Sequence, residues 1–198
     1  MDAARDVTAF ILAGGKSTRM GRDKAFVAHD GRTLLARALD LARSLTANVR
    51  IVGNPEKFAP FAPVVEDIFP GCGPLGGIHA ALQASATELN LMLAVDTPFL
   101  SPAFLQYLTS RAQDAPEAVV TLPVADGRRQ PLCAIYRPEF AAPAEKALRT
   151  GRNRIDILFD EVPTRVIEAP ELEAAGFSPT IFRNLNTPED LTEERRGI

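Results

Sequence analysis

The sequence predicts a three-layer α/β/α sandwich around a mostly parallel sheet, and three observations predict it. Short apolar runs alternate with segments in which apolar residues recur at helical spacing. The first of these runs is apolar at nearly every position, as a strand covered on both faces is. Between them stand a Gly pair and Asn-Pro and Ser-Pro steps, the punctuation of βα units. A length of 198 residues suits one domain over 1–198, and 46% hydrophobic with 24% charged residues supplies an ordinary core and surface.

Thr8-Ala9-Phe10-Ile11-Leu12-Ala13 reads as a buried strand that stops at Gly14-Gly15. From Arg32 to Leu45, the residues Leu34, Ala38, Leu41 and Leu45 mark one helical face, with Arg37, Asp40 and Arg43 elsewhere on the wheel. Val49 to Val52 is a second strand, ended by Gly53-Asn54-Pro55, and Val64-Val65 a brief third. A Gly-rich loop then leads to a helix through Ile78, Ala81 and Leu82. Leu89 to Val95 is the next strand, followed by Asp96-Thr97-Pro98. Ser101 reads as an N-cap with Pro102 behind it, opening a helix with Phe104, Leu105 and Leu108. Ala118 to Leu122 and Pro131 to Tyr136 read as strands, Pro138 to Leu148 as a helix, and Thr187-Pro188 as the start of a last helix.

Sheets of this kind bind ligands at the carboxyl ends of their strands. That singles out three loops, Gly14 to Lys24, Asp67 to Gly77 and Asp96 to Phe99, which should meet at one edge.

Composition removes several function classes. Lys and Arg total 22 against 25 Asp and Glu, a net charge of -3, so no global field attracts nucleic acid. With no Trp and 2 Tyr, stacking platforms for bases are scarce. No apolar run reaches the roughly 18 residues that span a bilayer, and the amino terminus lacks a secretory segment, so a cytoplasmic protein is expected. Cys72 and Cys133 stand far apart without metal-site spacing and read as free thiols.

Against this acidic background, Lys16, Arg19, Arg22 and Lys24 place four cations within nine positions. Gly14 and Gly15 ahead of them let backbone approach a phosphate or a base. This is a local field for a triphosphate. A Walker A loop fails, because its leading Gly would fall on Phe10 inside the strand. A dinucleotide fingerprint does occur at Gly71-Cys72-Gly73-Pro74-Leu75-Gly76, with Asp96 in the place of the ribose acid. Its context is poor, since Pro70 separates it from a very short strand outside the first βα unit.

Leu-Ala-Gly-Gly-x-Ser-x-Arg-Met-Gly-x-Asp-Lys over 12–24 resembles the signature of nucleotidyltransferases with a Rossmann-like, glycosyltransferase-A-type fold. Among them it is most similar to the molybdenum cofactor guanylyltransferases. Four further segments agree in order: Val65-Glu66-Asp67, Gly73-Pro74-Leu75-Gly76-Gly77, Asp96-Thr97-Pro98-Phe99-Leu100 and Asn184-Leu185-Asn186-Thr187-Pro188-Glu189-Asp190. The resemblance implies transfer of GMP from GTP to the phosphate of molybdopterin, with magnesium, releasing pyrophosphate and leaving a guanine dinucleotide cofactor. It implies a monomer whose protein partners are cofactor-inserting proteins and molybdoenzymes.

The same resemblance implies roles for individual residues. Leu12, Ala13, Gly14 and Gly15 would lie along guanine and ribose, and Arg19 and Lys24 would hold the triphosphate as catalytic cations. Asp96 would be the magnesium ligand, Asp67 and Asn54 nucleotide contacts, and Asn184 and Asn186 the pterin side. Each has a plainer reading. Lys24 can pair with Asp23, Asp96 can cap the Thr97-Pro98 turn, Asp67 can be a solvated strand end, and the asparagines can shape a turn. Arg128, Arg129, Arg149, Arg152 and Arg154 can meet a molybdopterin phosphate or simply water, and His29 and His79 read as structural. Cytidylyl relatives carry Leu-Ala-Ala-Gly where this chain has Leu12-Ala13-Gly14-Gly15, which favours GTP over CTP. The alternatives are a molybdenum cofactor cytidylyltransferase, a sugar-phosphate nucleotidyltransferase, a non-catalytic carrier of nucleotide or cofactor, and a dinucleotide oxidoreductase.

Overall fold

A computed structural model describes residues 7–14 and 23–184. Gly15, Lys16, Arg19, Arg22, Asn186 and the helix expected from Thr187 lie outside them. The chain begins with β1 (Val7–Leu12), a 3-10 turn (Lys24–Phe26), a hairpin of β2 (Ala28–His29) and β3 (Arg32–Thr33), and α1 (Leu34–Leu45). Then come β4 (Val49–Val52), α2 (Pro55–Phe58), β5 (Val64–Val65), α3 (Pro74–Gln83), β6 (Leu89–Ala94) and α4 (Pro102–Gln113). β7 (Val120–Ala125), β8 (Arg128–Arg129), β9 (Cys133–Tyr136), α5 (Ala141–Arg149), β10 (Thr164–Ile167) and α6 (Ala169–Ala174) complete the described elements.

The main sheet has eight strands in the order β10-β7-β9-β6-β1-β4-β5, with β8 attached to β7. β1 pairs in parallel with β4 and with β6, β4 with β5, and β7 with β10. β9 alone on this path runs antiparallel, hydrogen-bonded between β6 and β7. Alternate residues of β1 enter opposite cores, as the period of a strand requires. Val7, Ala9 and Ile11 pack with Leu35 and Ala42 of α1 and Leu105 and Leu108 of α4. Phe10 packs with Ile78 and Leu82 of α3 and Ala144 and Ala147 of α5. The three layers expected from the pattern are therefore present.

Chain direction then positions the site. From β1 the chain moves by α1 to β4 and β5, and α3 carries it back across β1 to β6 on the other side. Right-handed crossovers in opposite directions put α1 and α3 on opposite faces. The ends of β1, β4 and β6 consequently open into one crevice, the topological switch point of the sheet.

Local differences from the pattern have physical causes. Arg32 and Thr33 are strand rather than helix, because Asp30 (φ 48°) and Gly31 (φ 76°) close a tight hairpin there. Thr33 then caps α1 by accepting from the N–H of Ala36 at 3.2 Å. A second Asp-Gly step, Asp126 (φ 50°) and Gly127 (φ 68°), turns β7 into β8 and prolongs β7 past Leu122 to Ala125. The expected helix from Pro138 starts as a 3-10 turn (Pro138–Phe140) before α5. Ser101 does cap α4, accepting from Phe104 N–H at 3.2 Å. Cys72 and Cys133 are free thiols. Among the described residues no helix is long and apolar enough to cross a membrane.

Phe10 is fully buried at the centre of the sheet. Phe10→Ala should lower stability by about 3–5 kcal/mol, from lost transfer energy plus an unfilled cavity. A urea melt reads this as a lower midpoint at unchanged slope.

Candidate active site

β1 ends at Leu12, and the N–H of Ala13 donates to Val52 O at 3.1 Å, so the chain follows β4 for one further residue before Gly14 turns out to solvent. α3 closes over this exit. A Cβ on Gly77 would come within 3.2 Å of Leu12 Cδ2, so the helix sits close on the strand end and a side chain there would press on Leu12. One position earlier, a Cβ on Gly76 would meet Asp67 Oδ1 and Phe69 O, both at 2.9 Å. The first turn of α3 thus presses on the Asp67 loop and on β1 together. Asp67 Oδ1 accepts from the N–H of Phe69 at 2.9 Å. Burial, the largest influence, pushes its carboxyl above the usual range, opposed by that N–H and by His79.

Lys24 opens the 3-10 turn that follows Asp23, whose carboxylate accepts from Ala25 N–H at 3.2 Å. Phe26 in the same turn stacks on Phe58 with ring centres 5.8 Å apart. Anchored this way, Lys24 Nζ donates to Asp96 Oδ2 at 3.1 Å across the mouth of the crevice. The plainer reading of Lys24 does not hold, because the carboxylate of Asp23 meets Lys57 at 3.1 Å instead. Nor does the turn after β6 rest on Asp96. Thr97 holds it, its hydroxyl donating to Ala94 O at 3.0 Å, so the Asp96 carboxylate faces Lys24.

Asn54 stands exposed at the end of β4 and caps α2, its side-chain oxygen accepting from Glu56 N–H at 2.8 Å. Asn184 is exposed and is the last described residue of the chain. Just before it, the guanidinium of Arg183 lies 5.6 Å from the centre of the Phe99 ring. Phe99, Thr180, Ile181 and Arg183 line a cavity of about 200 Å³ beside the segment that carries Asp96. Sequence reading missed this stack, since Phe99 and Arg183 are distant in the chain and share no local pattern. The expected basic residues are differently engaged: Arg129 pairs with Asp160 at 2.7 Å, Arg149 with Glu145 at 2.6 Å and Arg152 with Glu161 at 3.0 Å. Arg154 and Arg128 are exposed.

The structure therefore brings Leu12, Ala13, Gly14, Lys24, Asp67 and Asp96 to one edge of the sheet. An anchored ammonium beside a carboxylate, backbone stripped of side chains and a half-buried acid together suit a nucleotide whose phosphates and base must be held at once. Among the described residues no group of three or more His, Cys, Asp or Glu could by itself hold a metal ion.

A family model described as a MobA-like NTP transferase domain matches residues 9–163. A protein of Halalkalibacterium halodurans named probable molybdenum cofactor guanylyltransferase is 36% identical over 190 residues, covering 92% of this chain and 94% of its own. The molybdenum cofactor guanylyltransferase of Desulfosudis oleivorans is 35% identical over 201 residues, covering 100% of this chain and 97% of its own. The crystal structure of molybdopterin-guanine dinucleotide biosynthesis protein A from Archaeoglobus fulgidus superposes with a TM-score of 0.81 at 26% identity, covering 96% and 97% of the two chains. A cytidylyltransferase of Thermus thermophilus acting on 2-C-methyl-D-erythritol 4-phosphate shares the fold at a TM-score of 0.67 and 20% identity, covering 95% of this chain and 96% of its own. The domain match spans most of the chain and the relatives align over nearly all of it, and on that ground the chain belongs to the MobA-like NTP transferase family.

Proposed function

We propose that this nucleotidyltransferase moves GMP from GTP to the terminal phosphate of molybdopterin, releasing pyrophosphate and forming the guanine dinucleotide cofactor. The observation that carries the reading is the pairing of Lys24 with Asp96 at the strand ends, in a chain whose relatives are named molybdenum cofactor guanylyltransferases. An oxygen of the acceptor phosphate attacks the α-phosphorus, and the bond from that phosphorus to the bridging oxygen of pyrophosphate breaks. Such a reaction asks little covalent help of the protein and much neutralisation of charge.

Lys24 supplies one part of that charge as a compact cation. Entering phosphates compete with Asp96 for its ammonium, and Asp96 is then left to face a cation of its own. A single carboxylate at an open edge, with no dedicated cage among the described residues, fits magnesium, which takes one or two carboxylates and draws its other ligands from phosphate and water. Magnesium bound there would withdraw charge from the phosphoryl oxygens and the leaving group.

Guanine and ribose would lie along Leu12 to Gly14, where the ladders to β4 and β6 end at Leu12 and the Ala13 N–H is given to Val52. Asp67 Oδ1 is engaged by Phe69, so its other oxygen is the acceptor offered to the nucleoside. On the acceptor side, Asn184 and the cavity beneath Arg183 and Phe99 combine an amide, a guanidinium and an aromatic wall, which suits a pterin bearing a phosphate. Arg19, Gly15 and Asn186 keep the roles implied by the resemblance. On this reading the protein works in the cytoplasm as a monomer and passes its product to cofactor-inserting proteins and molybdoenzymes.

With GTP, magnesium and molybdopterin, the purified protein should release pyrophosphate, and CTP in place of GTP should be at least about tenfold slower. Faster turnover with CTP would reassign the nucleotide. Asp96→Asn should lower kcat by about 100-fold or more while GTP still binds, and Lys24→Met should lower kcat/KM by a similar factor. Near wild-type turnover in either variant removes that residue from the mechanism. Gly76→Ala, whose new Cβ displaces the Asp67 carboxylate, should raise KM for GTP about tenfold.

A further inference from the structure

His79 is the one histidine among the described residues whose ring nitrogens both lie buried without a hydrogen-bond partner. It is 2% exposed, on the side of α3 that faces Glu145 of α5. Burying an unpaired polar ring is unfavourable, and where such a group persists it marks either strain or use. A leucine or phenylalanine of similar bulk would fill the same space without that cost.

What surrounds the ring identifies its use. His79 meets Phe69 edge-on, with ring centres 5.3 Å apart and planes at 70°. Arg149 of α5 holds the same phenyl ring, its guanidinium carbon 5.8 Å from the ring centre. Glu145 ties these groups together, with Oε1 on Arg149 at 2.6 Å and Oε2 at 4.0 Å from His79 Nε2. Phe69 is thereby clamped, and Phe69 is the residue whose N–H holds the carboxylate of Asp67. Ile68 between them is exposed, and the turn from Asp67 to Phe69 is held by this clamp, by the contact with Gly76 and by the N–H of Cys72, which donates to Phe69 O at 3.2 Å.

We propose that His79 is the positioning residue for Asp67, fixing from the α3–α5 interface the carboxylate that meets the nucleotide. The inference rests on the reading of Asp67 as a nucleotide contact. The imidazole sets the place of Phe69 and hence of the N–H that orients Asp67. Burial holds the imidazole below its usual range, and Arg149 acts in the same direction, while Glu145 and Asp67 pull the other way. Burial thus favours the neutral ring, which spares a buried net charge.

Binding of GTP with magnesium, measured by calorimetry on the full chain, tests this together with steady-state kinetics and thermal melts. His79→Leu should raise the Kd and KM for GTP about tenfold, leave kcat within about twofold, and melt no lower than wild type. A structural role alone would lower the melting temperature and would not separate KM from kcat. Phe69→Leu, which leaves His79 in place but removes the clamped ring, should raise KM in the same way. In an Asp67→Ala background, His79→Leu should have no further effect on Kd. GTP binding unchanged in His79→Leu, while Asp67→Ala weakens it, overturns the inference. Binding unchanged in both overturns the reading of Asp67 on which it stands. If His79→Leu does not fold, Phe69→Leu with an unaltered KM overturns the inference as well.

Discussion

The burial of β1 on both faces is the constraint on which the rest depends. A strand whose side chains enter two cores must have helices above and below, and the chain can supply them only by crossing over in both directions. α1 covers one face on the way to β4, and α3 covers the other on the way back to β6. The crevice at the strand ends is the geometric remainder of that reversal. The glycines at the start of α3 then bring a helix terminus within contact of both Leu12 and Asp67, so the covering layer also forms a wall of the site.

Charge in the crevice is organised by anchoring more than by strength. A partly exposed ion pair contributes little to stability, and Lys24 with Asp96 is such a pair. Its worth lies in geometry. The 3-10 turn after Asp23 and the Phe26–Phe58 stack hold the backbone of Lys24, while Thr97 holds the turn that presents Asp96. Each group therefore has its backbone already placed, and exchange of partners requires only side-chain motion. Asp67 and His79 follow the opposite logic. There a half-buried acid is held by the N–H of Phe69, whose ring rests on a buried and unsatisfied imidazole, an arrangement that gives up stability for the placement of one carboxylate.

Much of the fold was legible because burial and capping are local signals. Phe10 and its neighbours announce a strand with two covered faces, and Ser101-Pro102 announces the start of α4 where it occurs. The Asp30-Gly31 and Asp126-Gly127 hairpins carried an equally local signal that the helical pattern after Arg32 and the apolar run before Leu122 obscured. The antiparallel course of β9 carried none. Its residues are as apolar as those of a parallel strand, and its direction follows from where β6 and β7 leave a gap.

The sequence by itself determined the layered α/β class, the cationic loop after the first strand and the candidate acids at the ends of later ones. These depend on short-range spacing, which a pattern of residues encodes directly. Only the tertiary structure decided that Lys24 meets Asp96 rather than Asp23, that Phe99 lies beneath Arg183, and that His79 packs on the ring of Phe69, whose N–H holds Asp67. Those pairings join residues distant in the chain, and strand order, crossover hand and the close approach of α3 determine them. No local period contains that information, because it arises only when both faces of β1 have been covered.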